Sequence, residues 1–349
     1  MRFAIVGAGV IGETHARLIT SLPDESELVA VVDLEADRAA ALSGKYGGEP
    51  MTDLEKACAR PDIDAVSICV PSGLHADAAI TALEAGKHVI VEKPIDVTLA
   101  AADRLIDVEE QTGLTVAVIS QRRFQHAPAF LHQAVADGRL GRITMGIAES
   151  PFWRSQEYYD SGGWRGTVEL DGGGALMNQG IHVVDLLLWM LGEPVEVQAY
   201  SGLLAHERID VEDTVAATVR FRSGAIGSIV ATTAAYPGRP VRLSVYGDRG
   251  SAVIEQDDLV AFDTADGGPA ADQASGARPV ADGEPAGEAS VSRSVADAHR
   301  AQYLDFIEAV RDGRPPSIGT RDARRALEMV LGIYASAATG GPVQLTGRQ

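Results

Sequence analysis

Arg2-Phe-Ala-Ile-Val-Gly7-Ala-Gly9-Val-Ile-Gly12 opens the chain: a short apolar run, then three glycines spaced G-x-G-x-x-G. The run reads as a buried strand, and Ile11, His15, Leu18, Ile19 and Leu22 after it share one helical face. Gly7 allows the tight turn, Gly9 lets the backbone approach a pyrophosphate, and Gly12 lets the helix pack closely on the strand. The helix start then offers free N–H groups to the anion. With Val10 and Ile11 of the same turn, these are the candidate phosphate-binding residues. A second strand, Leu28-Val-Ala-Val-Val-Asp33, ends in an acid 21 residues beyond Gly12. A carboxylate there accepts hydrogen bonds from the ribose hydroxyls and repels a 2′-phosphate. No arginine follows until Arg38, so the pattern predicts NAD rather than NADP. Glycines alone also suit a plain turn; strand, helix and acid together favour the dinucleotide.

From this start, strands and helices alternate to about residue 120. Strands are expected at 3–7, 28–33, 64–70, 87–91 and 115–119, as continuous apolar runs suited to a parallel sheet covered on both faces. Helices are expected at 10–22, 35–46, 53–59, 74–85 and 98–112, the last two ending at Gly86 and Gly113. This is a doubly wound α/β domain, assigned to residues 1–122. Residues 123–349 follow a different grammar. A short helix (128–137) and one long helical segment (Gly174 to Leu191) precede strand-like runs at 194–204, 213–222, 225–234, 241–247 and 250–255. Consecutive strands with short turns mean a large, mostly antiparallel sheet. Residues 264–290 read as a surface excursion with no chemistry assigned, and helices at about 294–312 and 320–338 close the chain, with faces suited to packing back on its body.

The composition narrows the function. At 349 residues the chain suits about two domains. A net charge of −19 disfavours a nucleic-acid or anionic-membrane partner. No apolar run reaches the ~20 residues of a membrane span, and the first residues are already strand rather than a leader. The two cysteines, Cys58 and Cys69, have no metal or disulfide spacing. The expectation is a cytoplasmic enzyme without a metal.

Two further motifs carry chemistry. Glu92-Lys93-Pro94 directly follows the strand His88-Val-Ile-Val91. Ligands of open α/β sheets lie beyond the carboxyl ends of strands, so Lys93 is placed to hold an alcohol or carbonyl oxygen and to stabilise an alkoxide. A surface lysine on a loop fits its position equally. The other motif is Leu170-Asp-Gly-Gly-Gly174-Ala-Leu-Met-Asn178-Gln-Gly-Ile-His182-Val-Val-Asp185. Asn178 and His182 are four apart and share a helical face, with Asp185 near the same stripe. An imidazole titrating near neutrality suits a base that takes an alcohol proton; the spacing suits a core histidine as well. His75, in Pro71-Ser72-x-x-His75, follows a strand end and is placed to touch the cofactor with Ser72, and His15 is near enough to the turn to face the phosphates.

With these motifs in place, the chain resembles the glucose–fructose oxidoreductase / inositol dehydrogenase / MocA family over its full length. The match runs through residues 7–12, 71–75 and 92–94, Gly172–Gly174 with Ile181-His182-x-x-Asp185, and His299-x-x-Gln302-x-x-Asp305-Phe306. The resemblance implies an N-terminal Rossmann domain and a C-terminal domain whose open sheet often forms a homodimer or homotetramer interface. It implies an NAD-dependent dehydrogenase acting on a secondary alcohol of a sugar, inositol or sugar derivative, with Lys93 and His182 catalytic. Relatives often carry Asp where this chain has Asn178, which weakens a proton relay and leaves His182 as the base. The string Trp164-Arg-Gly-Thr…Asn178-Gln-Gly-Ile-His182 is similar to sugar and nucleotide-sugar dehydrogenases, including those oxidising the 3-hydroxyl of a UDP-linked uronate. It assigns Glu92, Lys93 and Gln121 to the cofactor. Residues 150–165 (Phe152, Trp153, Arg154, Tyr158, Tyr159, Trp164, Arg165) and Arg123 form the substrate wall with Asn178 and His182, where aromatic faces suit pyranose C–H faces and arginine suits a carboxylate or phosphate. Two other readings are an NAD-sensing regulator without activity and an NAD-retaining glycosidase.

Overall fold

A computed structural model describes residues 1–267 and 288–347. The chain divides into two compact units: residues 1–119 with 299–324, and the remainder.

The first unit alternates β1 (Arg2–Val6), α1 (Val10–Thr20), β2 (Glu27–Val32), α2 (Ala36–Tyr46), β3 (Glu49–Met51), α3 (Leu54–Cys58), β4 (Ala65–Ile68), α4 (His75–Glu84), β5 (His88–Val91), α5 (Leu99–Thr112) and β6 (Val116–Val118). The strands form one parallel sheet in the order β3-β2-β1-β4-β5-β6, with the switch of direction between β1 and β4. That switch opens a crevice at the carboxyl ends of the strands, where ligands of such sheets bind. Every residue of β4 is buried, as helices on both faces require. Gly113 ends α5 in the left-handed conformation at φ 66°. The sequence reading missed β3, three residues around Pro50 at the sheet edge, where proline is tolerated. Tyr303, Phe306 and Ile307 belong to this core, Tyr303 and Phe306 lying 5.7 and 6.2 Å from the Phe3 ring.

The second unit contains α6 (His126–Ala136), β7 (Ile143–Pro151), α7 (Gln156–Asp160), a π-helical turn (Ala175–Gly180), α8 (Ile181–Leu191), β8 (Pro194–Gly202), β9 (Thr214–Phe221), β10 (Ile226–Thr232), β11 (Arg242–Gly247), β12 (Gly250–Glu255) and β13 (Asp258–Thr264). The helices α9 (Glu288–Asp312) and α10 (Thr320–Thr339) and the strand β14 (Val343–Gln344) close the chain. Eight strands form a mixed sheet in the order β13-β12-β11-β7-β10-β9-β8-β14, antiparallel except between β7 and β10. The sequence reading missed β7, although it is central. Its Gly146 hides the strand pattern, and it is glycine because an added Cβ would meet Leu187 and Leu191 of α8 at 2.7 and 2.8 Å. In β9, Val215, Ala217, Val219 and Phe221 are buried while Ala216, Thr218 and Arg220 are exposed. Met145, Ile226, Val230 and Val260 are likewise exposed on their strands. The expected excursion at 264–290 ends β13 at Thr264, and its residues 268–287 lie outside the described residues.

Candidate active site

In the first unit, the glycine turn is built as its spacing requires. Gly7 adopts φ 100°, and a Cβ there would come within 2.5 Å of the Cys69 carbonyl oxygen. A Cβ at Gly12 would overlap the Gly7 carbonyl oxygen. A Cβ at Gly9 meets nothing within 4 Å, so this position faces open space. Gly9 is also the N-cap of α1 and offers no side-chain oxygen to its amides. Asp33 accepts from the amides of Ala8 (2.7 Å) and Glu35 (2.9 Å), which ties the end of β2 to the turn. Val10 and Leu34 are 83% and 88% exposed, apolar surface beside the turn and beside Asp33. Open space at Gly9, uncapped amides and exposed apolar flanks fit a dinucleotide. Gly9→Ala is therefore expected to leave the melting temperature unchanged and to weaken NADH binding at least tenfold, roughly 1.4 kcal/mol. Gly12→Ala is expected to disrupt the fold itself. Calorimetric titration beside thermal melts separates the two outcomes.

The loop after β5 is tied down at several points. Glu92 Oε2 accepts from the Lys93 amide at 3.1 Å. His75 contacts the Pro94 carbonyl with Nδ1 (2.6 Å) and the Val70 carbonyl with Nε2 (2.9 Å). Asp96 accepts from Ala76, Val97 and Thr98. Beneath the loop, Glu92 Oε1 lies 3.0 Å from His15 Nε2, and His15 Nδ1 lies 2.8 Å from both Ser67 Oγ and Tyr303 Oη. Burial opposes charge on His15, but the Cys69 sulfur and the Glu92 carboxylate outweigh it and raise its pKa to about 10. Burial likewise opposes charge on Glu92; the His15 hydrogen bond and charge hold its carboxyl well below the usual range. The two form a buried ion pair. His299 brings a third donor atom within 4.8 Å of theirs, and His15 and Glu92 are in direct contact at 3.0 Å.

In the second unit, the segment expected as one helix is two. Residues Ala175–Gly180 form a π-helical turn, and regular helix begins at Ile181. Such turns often mark functional sites. The glycines before it allow close contacts: a Cβ at Gly174 would overlap the Glu212 carbonyl oxygen, and one at Gly173 the Tyr334 hydroxyl. Glu212 accepts from the amides of Gly174 and Leu176, both at 2.8 Å, and from Tyr334 Oη at 3.0 Å. Asn178 Nδ2 donates to the buried Asp171 at 2.6 Å, and Gln179 Nε2 donates to Asn178 Oδ1 at 3.3 Å. The Asn178 amide is thereby fixed with its nitrogen toward a carboxylate. Asn178 and His182 are partly buried, as side chains lining a ligand site are.

Residues 1–120 match the oxidoreductase family with an NAD-binding Rossmann fold, and residues 129–253 match the GFO/IDH/MocA C-terminal domain. The inositol 2-dehydrogenase of Rhizobium meliloti (strain 1021) is 32% identical over 273 residues, covering 76% of this chain and 79% of that enzyme. The chain belongs to the GFO/IDH/MocA family. The WlbA dehydrogenase of Bordetella pertussis, solved with NADH and UDP-GlcNAcA, superposes with a TM-score of 0.87 at 31% identity, covering 100% of this chain and 99% of that one. A levoglucosan dehydrogenase solved with NADH and levoglucosan gives 0.84 at 25% identity, covering 99% of each. This GFO/IDH/MocA chain is an oxidoreductase, and its cofactor is NAD. Gly7, Gly9, Val10, Ile11, Gly12 and Asp33 would hold the dinucleotide.

Against this family frame, several expected site residues prove to be committed to protein contacts. Glu92 spends both carboxylate oxygens on His15 and the Lys93 amide, so it positions the loop rather than the cofactor. His75 is 1% exposed with both nitrogens on carbonyls, and burial lowers its pKa; it is a strut between two loops. His15 is fully buried rather than facing phosphates. Arg123 is forked onto Asp185 (2.8 and 2.5 Å), beside Ser120, and lies 5.2 Å from the Trp189 ring, so its guanidinium is not offered to substrate. Tyr159 packs with Ile209 and Val211, donates or accepts at Thr233 (2.9 Å), and has its pKa pushed up to about 12 by burial. Ser72 lies buried in the 3-10 turn Ser72–Leu74 that precedes α4. Gln121 is also buried, and its Oε1 has no hydrogen-bond partner, as suits an atom completed by a ligand. Trp153 is 39% exposed, edge-on to Tyr236 at 5.4 Å, while Trp164 lies 5.3 Å from the Arg165 guanidinium.

Sequence reasoning missed the residues that brace the π-helical turn: Asp171, Glu212, Tyr334 and Gln179. One signal was available. Three consecutive glycines before a helix are needed only where other groups press on the backbone, and Glu212 and Tyr334 are those groups.

Proposed function

We propose that the protein oxidises a secondary alcohol of a sugar, inositol or sugar derivative, with His182 as general base and Lys93 holding the substrate oxygen. The observation that carries this reading is Asn178 on the π-helical turn, its amide fixed by Asp171 and Gln179, with His182 following in the first turn of α8 and both side chains partly exposed. Bound NAD supplies the hydride acceptor. The Lys93 ammonium donates to the alcohol oxygen and stabilises negative charge that develops there. The His182 imidazole accepts the hydroxyl proton. Asn178 donates to Asp171, which sets the orientation of its amide beside the proposed substrate oxygen. The likeness to enzymes named for inositols and levoglucosan supports a polyol or sugar substrate, and the structure solved with UDP-GlcNAcA supports a nucleotide-sugar branch. Retention of both Lys93 and His182 speaks against a regulator. Formation of NADH from NAD and a polyol panel tests the reading.

Two parts of this reading concern the setting. The exposed apolar residues Met145, Ile226, Val230 and Val260 support a homodimer or homotetramer built on the second sheet. No described helix is long and apolar enough to cross a membrane. An enzyme drawing on free NAD would work in the cytoplasm.

Asp33 sets the cofactor preference in this reading. Asp33→Asn removes the charge that repels a 2′-phosphate, and a hydrogen bond to a charged group is worth about 1.5–3 kcal/mol. The NAD/NADP ratio of kcat/KM is expected to fall at least tenfold. An unchanged ratio would refute the role given to Asp33.

A further inference from the structure

Acidic residues outnumber basic ones 49 to 30 in this chain, and arginines readily find carboxylates. Arg60, Arg123, Arg208, Arg222 and Arg324 each lie within 2.7 Å of one. Arg154 and Arg165 have no acidic partner within ion-pair distance among the described residues. Both guanidiniums sit on one ring, 5.0 and 4.7 Å from the centroid of Tyr158. Their side-chain partners are neutral: Gln179 Oε1 for Arg154 at 3.0 Å and Ser161 Oγ for Arg165 at 2.5 Å. The Nε of each is buried without a hydrogen-bond partner. Asp160, at the end of the intervening helix, spends its carboxylate on Arg208 at 2.7 Å.

Two like charges sharing one ring repel each other, and a buried charged donor without an acceptor carries an unmet desolvation cost. An arriving anion would remove both penalties. The guanidinium fork matches the two oxygens of a carboxylate or phosphate, and the shared Tyr158 ring keeps the two guanidiniums close together. The pair is also linked to the proposed chemistry. Gln179 holds Arg154 through Oε1, and through Nε2 it holds Tyr158 Oη (3.2 Å) and Asn178 Oδ1 (3.3 Å).

We propose that Arg154 and Arg165, both over the Tyr158 ring, clamp an anionic group carried by the substrate in addition to its reacting alcohol. The substrate is then a uronate, a sugar phosphate or a nucleotide sugar rather than a neutral polyol. This rests on the reading of the Asn178–His182 face as the substrate side.

The test is binding rather than turnover, so that it survives failure of the proposed reaction. NADH-loaded protein is titrated calorimetrically with D-glucose, D-glucuronate, α-D-glucose 1-phosphate and UDP-GlcNAcA. At least one anionic probe is expected to bind ten times more tightly than D-glucose, and D-glucuronate set against α-D-glucose 1-phosphate distinguishes carboxylate from phosphate. Arg154→Gln with Arg165→Gln is expected to erase that advantage while NADH affinity stays at its wild-type value. In wild type the anionic advantage should shrink with added salt, a readout that stands even if the double variant fails to fold. No anionic preference, a preference that survives the double substitution, or one insensitive to salt would overturn the proposal.

Discussion

Lys93→Ala and His182→Ala are each expected to lower kcat/KM for the alcohol by about 10²–10⁴-fold, the range a positioned proton-transfer group contributes. NADH affinity should stay near its wild-type value in His182→Ala, because the glycine turn and Asp33 that would hold the dinucleotide belong to the other unit. The two losses should not add. If Lys93 holds the oxygen whose proton His182 takes, they act on one transition state, and the double variant should cost little more than the worse single one. Steady-state kinetics with all three variants decides this. Near-wild-type turnover in either single variant would remove that residue from the mechanism.

Glu92→Gln is expected to cost about 3–5 kcal/mol of stability, the usual result of removing one partner from a buried ion pair. His15 and Glu92 are 0% and 6% exposed and lie 3.0 Å apart, so the remaining imidazolium would be buried without its counterion. At about 2–4 °C per kcal/mol, the melting temperature should fall by several degrees at least. The pH dependence has a definite sign. The folded pKa of His15, about 10, lies above the ordinary imidazole value of 6.5, so its stabilisation is complete below 6.5 and is lost as pH rises toward 10. Glu92 is depressed from 4.5, so its stabilisation is present above that value and is lost as pH falls below it. Wild type should therefore be most stable between about 4.5 and 6.5 as far as this pair decides. Its alkaline decline should flatten in Glu92→Gln. Thermal melts by circular dichroism across this range would show it; parallel curves for the two proteins would mean that the pair is not charged in the folded state.

The first unit was nearly transparent in the sequence because its signals are local. A strand, a glycine turn, a helix and an acid at fixed spacing report one another within a few dozen residues, and every strand of the interior reads as an apolar run. The motifs proposed to carry the chemistry, Glu92-Lys93-Pro94 and Asn178…His182, were also visible. What they touch was not. Glu92 meets His15 across 77 residues, and Arg123 meets Asp185 across 62. No periodicity distinguishes a carboxylate aimed at a cofactor from one aimed into a core. The π-helical turn was hidden too, since its residues fit an α-helix equally well; its stabilising groups, Glu212 and Tyr334, come from distant segments. Strand β7 was lost because Gly146 answers to the helix packed on it, not to strand propensity.

One measurement bears most directly on the central claim. The purified protein is mixed with NAD and a panel of inositols, levoglucosan, D-glucosides, uronates and UDP-GlcNAcA, and NADH is followed by its absorbance while the carbohydrate is followed by mass. The account predicts NADH formed mole for mole with a substrate two mass units lighter, with anionic members of the panel the best substrates. Tight NAD binding with no NADH from any member would contradict it and indicate a regulator, and glycoside cleavage without net NADH would indicate a glycosidase.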